Sequence, residues 1–271
     1  MAQLSDDCFA FGGELMTTAE ALARLTDTAR AVAEPEARAL AKAHGRILAR
    51  DVLSEHDVPP HDNAAVDGWA VYFDDLKPDQ DTSLPWSERI PAGQPLGHAA
   101  PRGAALRIFT GAPMPGGEDG APGPETVLMQ EDCREENGVV TIPPGIKRGA
   151  NRRFAGEDIK RGATILSAGR RLKPQDIGLA ASVGRTTLKV YKPLRVAVFS
   201  SGDEVFEPGE TLPPGGIYDA NRLMIIALLE ALGCDVNDLG ILPDRLDAVE
   251  GALDTASKTH DVLITSGGVS T

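Results

Sequence analysis

The chain has 271 residues, 42% of them hydrophobic, enough to bury the cores of two or more domains. With 40 acidic against 27 basic side chains its formal net charge is −13, which repels a phosphate backbone and argues against nucleic acid as a partner. The start, MAQLSDDCFAFGG, places acids where a signal peptide needs positive charge, and no stretch approaches the roughly 18 apolar residues of a membrane span, so a cytoplasmic protein with no membrane contact is expected.

From Thr17 the text TTAEALARLTDTARAVAEP opens with a capping box, Thr17-x-x-Glu20. Leu22, Leu25, Ala29 and Val32 follow at helical spacing, and Pro35 ends the helix. PEARALAKAH predicts a second short helix, begun by Pro35 and stopped by Gly45 as a left-handed cap, with the strand RILARDVLS after it. From Pro59 to about Asn151 the texture changes to short β-branched runs, AVDGWAVYF, AALRIFTG, ETVLMQED and GVVTIPP, separated by Gly, Pro and Asp clusters, which predicts a compact β domain. The run GEDGAPGPE, Gly117 to Glu125, reads as a mobile loop. Arg152 to Lys192 mixes short strands with one helix after Lys173-Pro174 and is expected to return to the domain of the first segment.

The last part alternates. LRVAVFS and DVLITS are apolar strands, CDVNDLGIL is a third, and DANRLMIIALLEALG and DRLDAVEGALDTAS are helices between them. Such βαβ units specify a parallel, doubly wound sheet that binds its ligands at the carboxyl ends of the strands. No G-x-G-x-x-G opens the first of these helices, which argues against a dinucleotide-binding oxidoreductase.

An anionic ligand of so acidic a chain must be held locally, by backbone N–H groups, a few basic side chains or a bridging cation. Three strand ends supply such places. In FSSGDE, Ser200, Ser201 and Gly202 expose backbone donors beside the oxygen ligands of Asp203 and Glu204, suited to a hard cation such as Mg2+. Asp244 in ILPDRL reads either as a site carboxylate or as the cap of the next helix. Ser266, Gly267 and Gly268 form an uncharged loop suited to a phosphate or pterin. Upstream, Asp67-Gly68 reads as a turn in which Gly68 takes positive φ and Asp67 bonds its own backbone, Thr110-Gly111 as another turn, and Arg152, Arg153, Glu157 and Asp158 as a solvated charged face. The three cysteines, Cys8, Cys133 and Cys234, are far apart and form no C-x-x-C, and the five histidines have no metal-ligand spacing, so neither a disulfide framework nor a zinc site is expected.

In their order, DNAAVDGWAV, RIFTGAPMP, VLMQED, NRRFAGEDIKRG, VAVFSSGDE, IYDANRLMI and ITSGGVS resemble the successive motifs of the MoeA/gephyrin-type molybdopterin molybdenumtransferases. The resemblance covers the chain from about Thr17 onward and implies a multidomain α/β and β fold. Residues 1–58 and 155–192 would form an elongated two-segment first domain, 59–154 an inserted β domain, and 193–271 an incomplete molybdopterin-binding α/β domain. It implies insertion of molybdate into adenylylated molybdopterin with release of AMP, a divalent cation such as Mg2+, a homodimer, and a molybdopterin adenylyltransferase as donor of the adenylylated pterin. By motif, Asp67, Thr110, Asp158, Glu204 and Asp244 carry over as functional positions. Glu204 and Asp244 would handle cation and adenylate, and Ser266, Gly267 and Gly268 the pterin, while Asp67 and Thr110 would approach from the second subunit. The family pattern continues past ITSGGVS with an acidic residue, a lysine-bearing segment and a final β domain. A chain ending at Thr271 is therefore expected to have little transferase activity and to leave Val262 and Ile264 poorly covered. The competing readings are a noncatalytic dimeric scaffold that binds pterin or partner proteins, and a molybdopterin adenylyltransferase, which would not need the residues before Arg195.

Overall fold

A computed structural model of the chain describes residues 16–267. It divides into two compact units, one of residues 37–190 and one whose described parts are residues 16–36 and 191–267. No helix among the described residues is long and apolar enough to cross a membrane. The architecture is multidomain, α/β in one part and largely β in the rest.

Helix α1 (Thr18–Thr28) carries the predicted capping box: the Thr17 hydroxyl accepts from the Glu20 N–H at 3.3 Å, and Glu20 Oε2 accepts from the Thr17 N–H at 2.8 Å. It ends sooner than the apolar spacing predicts. The hydroxyls of Thr26 and Thr28 donate back to the Leu22 and Arg24 carbonyls, and Arg30 donates to the Asp27 and Ala29 carbonyls that the next turn would otherwise need. The expected second helix is absent. Residues 35–42 form strand β1 (Pro35–Ala39) and a single 3-10 turn, Leu40–Lys42, with Gly45 at φ 77° as its left-handed stop. A ten-residue helix is marginal by itself, and pairing with a late strand overrides it.

Within the 37–190 unit, two-residue β2 (Val52–Leu53) is held less by its few ladder bonds than by a core beneath it. Leu48, Val52, Leu166, Leu172, Leu188 and Val190 pack there together. Each fully buried aliphatic side chain contributes about 1.5 to 3 kcal/mol, against about 1 kcal/mol for a ladder hydrogen bond, so the core joins the early and late segments. The segment between them carries β3 (Asn63–Ala64), β4 (Gly68–Val71), β5 (Thr82–Ile90), β6 (Ala105–Ile108), β7 (Thr126–Met129), β8 (Arg134–Glu136) and β9 (Val139–Ile142). Six of these make one sheet in the order β7-β4-β6-β5-β9-β8, antiparallel except between β5 and β6. Two cores line it, one including Ile90, Leu106, Ile108 and Val127, the other Trp69, Val71, Val140 and Ile142. The Gly117–Glu125 stretch folds on itself around a 3-10 turn, Glu118–Gly120, with the Gly117 N–H donating to the Ala121 carbonyl at 2.9 Å. The chain then returns through β10 (Arg152–Arg153), which pairs with β3, β11 (Thr164–Leu166), which pairs with β2, helix α2 (Pro174–Ser182) and β12 (Thr187–Tyr191), the partner of β1.

The other unit is built on β13 (Arg195–Ser201), apolar and buried along most of its length. After β14 (Val205–Phe206) and β15 (Ile217–Tyr218) come helix α3 (Ala220–Ala231), β16 (Asp235–Leu242), helix α4 (Leu246–Ser257) and β17 (Val262–Ser266). β13 lies between β16 and β17, parallel to both, as the βαβ rhythm predicts. Val262 and Ile264 are half-buried.

Candidate functional site

The carboxyl ends of β13, β16 and β17 fall at one edge because the strands are parallel and in register: Ser201 pairs with Leu242, and Ser200 with Ser266. The loop after each strand therefore meets the others. Gly267, at φ 111°, lies so close to β13 that a Cβ there would stand 2.7 Å from the Ser201 carbonyl oxygen, so only glycine allows this approach. Gly202 is at φ 142°, and a Cβ on it would meet Glu204 Oε2 at 2.7 Å. The Asp244 N–H donates to Asp203 Oδ1 at 3.2 Å, so Asp203 ties two strand-end loops together. Asp244 is not the helix cap of the alternative reading: the residue at the N-cap of α4 is Arg245, with no side-chain cap bond. Gly268 lies outside the described residues.

Among the described residues no group of three or more His, Cys, Asp or Glu side chains is placed to hold a metal ion. Glu204 and Asp244 offer hard carboxylate oxygens, the donor type Mg2+ takes from a protein when its remaining ligands come from water and substrate phosphates.

Beside this edge stands a network that motif spacing did not single out. Arg222, on the first turn of α3, is 2% exposed, and its Nε donates to Asp219 Oδ2 at 2.8 Å. Its other nitrogens pair with Glu207 at 2.5 Å and with Asp238 of β16. Asp219 also accepts from the Arg222 N–H at 3.1 Å, as the N-cap of α3. Burial alone would raise the Asp219 pKa, but its bonds to Arg222 outweigh that and hold it below the usual carboxylate range. The Ser200 hydroxyl, buried and without a hydrogen bond of good geometry, lies near enough to add to this lowering. The signal in the sequence was an arginine three residues after a capping aspartate, in DANR.

In the 37–190 unit the antiparallel pairing of Gly68 with Ile108 sets Asp67, just before β4, beside the residues just after β6. Asp67 Oδ1 accepts from the Thr110 N–H at 2.8 Å and from its hydroxyl at 2.7 Å. The two residues are thus one hydrogen-bonded element, not two separate turns, and among the described residues Asp67 does not bond its own backbone as the turn reading expects. The Thr110 donors, with the Arg107 charge nearby, hold the Asp67 pKa below its ordinary value. Gly68 corrects the same reading. It is not in the left-handed region; it is required because a Cβ would stand 1.7 Å from the Leu128 carbonyl oxygen. Gly111 does take the positive φ expected of it, 79°. Asp158 pairs with Arg153 at 2.5 Å, with Glu157 3.4 Å from the same guanidinium. Both carboxylates are largely exposed, and among the described residues no hydrogen bond or ion pair joins Asp158 to the Asp67–Thr110 pair.

A family model described as the MoeA N-terminal region (domain I and II) matches residues 16–184, and one described as a probable molybdopterin binding domain matches residues 197–271. Similar proteins include the molybdopterin molybdenumtransferase of Haemophilus influenzae, 42% identical over 232 residues that are 85% of this chain and 55% of that protein. The enzyme of the same name from a Nostoc species is 38% identical over 231 residues, 84% of this chain and 52% of its own length. Among solved structures, the molybdopterin biosynthesis MoeA protein of Pyrococcus horikoshii OT3 superposes with a TM-score of 0.84 at 30% identity, covering 94% of this chain and 67% of that one. The chain spans about half the length of the curated relatives it matches. With the family model covering more than half of its residues and the solved fold following nearly all of them, the chain belongs to the MoeA family.

Proposed function

We propose that the protein containing this chain is a molybdopterin molybdenumtransferase of the cytoplasm, which inserts molybdate into adenylylated molybdopterin and releases AMP. The observation that carries the reading is the shared edge at which Ser201-Gly202, Asp244 and Ser266-Gly267 meet, in the part of the chain matched by the probable molybdopterin binding domain. Backbone donors there would hold the phosphate and pterin. Glu204 and Asp244 would hold Mg2+, which would offset the repulsion between the adenylate and the oxyanion. Asp67 and the Thr110 bonded to it would orient the reacting groups from the second subunit of a homodimer, and Asp158 would be a further functional position. A molybdopterin adenylyltransferase would supply the adenylylated pterin.

The packing also supports a three-part division into residues 1–58 with 155–192, 59–154, and 193–271. The core that joins Leu48 and Val52 to Leu166 and Leu188 is separate from the two cores of the six-stranded sheet. An adenylyltransferase reading leaves residues 16–184 without a role.

The test uses the protein as its own cells make it, supplied with adenylylated molybdopterin, Mg2+ and molybdate. AMP release that depends on molybdate and falls at least 100-fold in Glu204→Gln is the expected result, the scale of a lost transition-state electrostatic contact, roughly 3 kcal/mol. Formation of the adenylate from ATP and molybdopterin, with no molybdate-dependent AMP release, would assign the partner reaction instead.

A further inference from the structure

A second constellation lies on the six-stranded sheet, among residues the transferase reading does not use. Arg89 and Arg107 are direct partners in the parallel pairing of β5 and β6. Like charges placed opposite each other destabilise a sheet, and a chain of net charge −13 has carboxylates to spare for them. Yet neither guanidinium pairs with a carboxylate among the described residues. Both lie over aromatic rings: each is 5.1 Å from the Phe109 ring centre, and Arg107 is also 5.0 Å from that of Trp69. Arg107 donates to the Gly68 carbonyl at 3.5 Å and to Gln130 Oε1, bonds to neutral groups that fix its guanidinium, while its charge acts on the Asp67 and Glu131 carboxylates without pairing directly with either. Two positive forks held together without a directly paired carboxylate among the described residues form a site for a phosphate, whose oxygens match guanidinium geometry bidentately.

The surroundings specify more than an anion. The two arginines open on a cleft of about 400 Å3, within the range of small-molecule sites, which Trp69 and Trp86 also line. The indole rings are 5.7 Å apart at 58°, a tilted pair in which Trp69 is buried in the core and the half-buried Trp86 offers flat apolar surface to a planar ring. Across the cleft, Glu135 Oε1 accepts from Trp86 Nε1 and from the Gly138 N–H, both at 3.2 Å. Both bonds fall on one oxygen, so Oε2 is left as an acceptor for an amino group. Cys133, which lines the cleft as well, adds no competing negative charge, because burial pushes its thiol pKa up to about 11.

We propose that this cleft binds a phosphorylated, amino-bearing planar heterocycle: Arg89 and Arg107 take the phosphate, Trp86 stacks the ring with Trp69 supporting it from the core, and Glu135 accepts from the exocyclic amine. Adenine nucleotides and pterin phosphates share that chemistry. The site uses none of the residues assigned above to the transfer reaction, so its test succeeds or fails apart from that reading.

The protein's two tryptophans are both in the cleft, so its intrinsic indole emission reports on this site alone. The 271-residue chain is titrated with AMP, with adenosine, and with a pterin bearing a phosphate monoester, each corrected for ligand absorbance. The expected result is a saturable change in emission with at least one phosphorylated ring. Binding should be about tenfold weaker when the phosphate is removed and about tenfold weaker in Arg89→Gln. Arg89 is exposed and makes no hydrogen bond among the described residues, so this variant keeps the fold, which circular dichroism verifies. The tighter of the two phosphorylated rings identifies the source of the ligand. No saturation by either at millimolar concentration, equal binding of AMP and adenosine, or an unchanged affinity in Arg89→Gln would overturn the proposal.

Discussion

Asp67 is half-buried, and its pKa lies below the ordinary carboxylate value chiefly because of one neighbour 43 positions away, Thr110, whose N–H and hydroxyl both donate to Oδ1. These two bonds are separable. Thr110→Val removes the hydroxyl donor and leaves the backbone one, so the Asp67 pKa should rise toward the ordinary carboxylate value, while Thr110→Ser should leave it where it is. Carbon-13 NMR titration of the Asp67 carboxyl reads this directly, and an identical titration in Thr110→Val would mean that the N–H alone holds the charge. The pairing was not legible as such in the sequence. Each half looks like an independent turn, and only the register of β4 against β6 makes them neighbours. Gly68 shows the same limit: the glycine was visible, but its reason was not, because the Leu128 carbonyl that forbids a side chain lies on a strand 60 residues further along.

At the scale of elements, α3 is tied to its sheet by charge as well as by apolar contact. Arg222 and Asp219 are 2% and 3% exposed, so removing the guanidinium leaves a buried carboxylate without its counter-ion. Arg222→Met is expected to cost about 3 to 5 kcal/mol, and a double variant that adds Asp219→Asn should recover part of it by removing the stranded charge. Glu207 and Asp238, 44% and 40% exposed, can turn to water and should contribute little to the loss. Urea midpoints of the two variants check this, and a double variant no more stable than the single one would place the cost in packing instead. The strands β13, β16 and β17 and the helices α3 and α4 could be read from the chain because each is long enough, or apolar enough, to declare its own period, whereas the two-residue β14 and β15 could not. PEARALAKAH could not. Its first half is a strand because a partner strand is available, and no local pattern in ten residues outweighs that pairing.

For the molecule as a whole, the excess of acid sets how stability responds to pH. Carboxylates in both units titrate below their ordinary range, each through a hydrogen bond or ion pair of the folded state. Thr110 lowers Asp67, Arg148 lowers Asp74, and bonds to Arg222 lower Asp219 against its burial. Asp261 is the furthest displaced, to about 2. The Arg195 side chain donates to both of its oxygens, at 2.7 and 3.2 Å, and the Arg195 N–H adds a third bond at 2.9 Å, clamping the start of β17 to the start of β13. A folded-state pKa below the unfolded one means that the unfolded chain binds more protons in that interval, so stability rises with pH there. The contribution of Asp261 is complete above its ordinary value of 3.8 and is lost as pH falls from there toward 2. Stability measured by urea titration should therefore hold level from neutral pH to the upper end of the carboxylate range and fall steeply below it. In Asp261→Asn the same curve should start lower at neutral pH, because the clamp loses its charge, and descend less steeply between 3.8 and 2. A variant curve parallel to the wild type through that interval would show that the clamp exists equally in the unfolded chain and does not help hold β17 to β13.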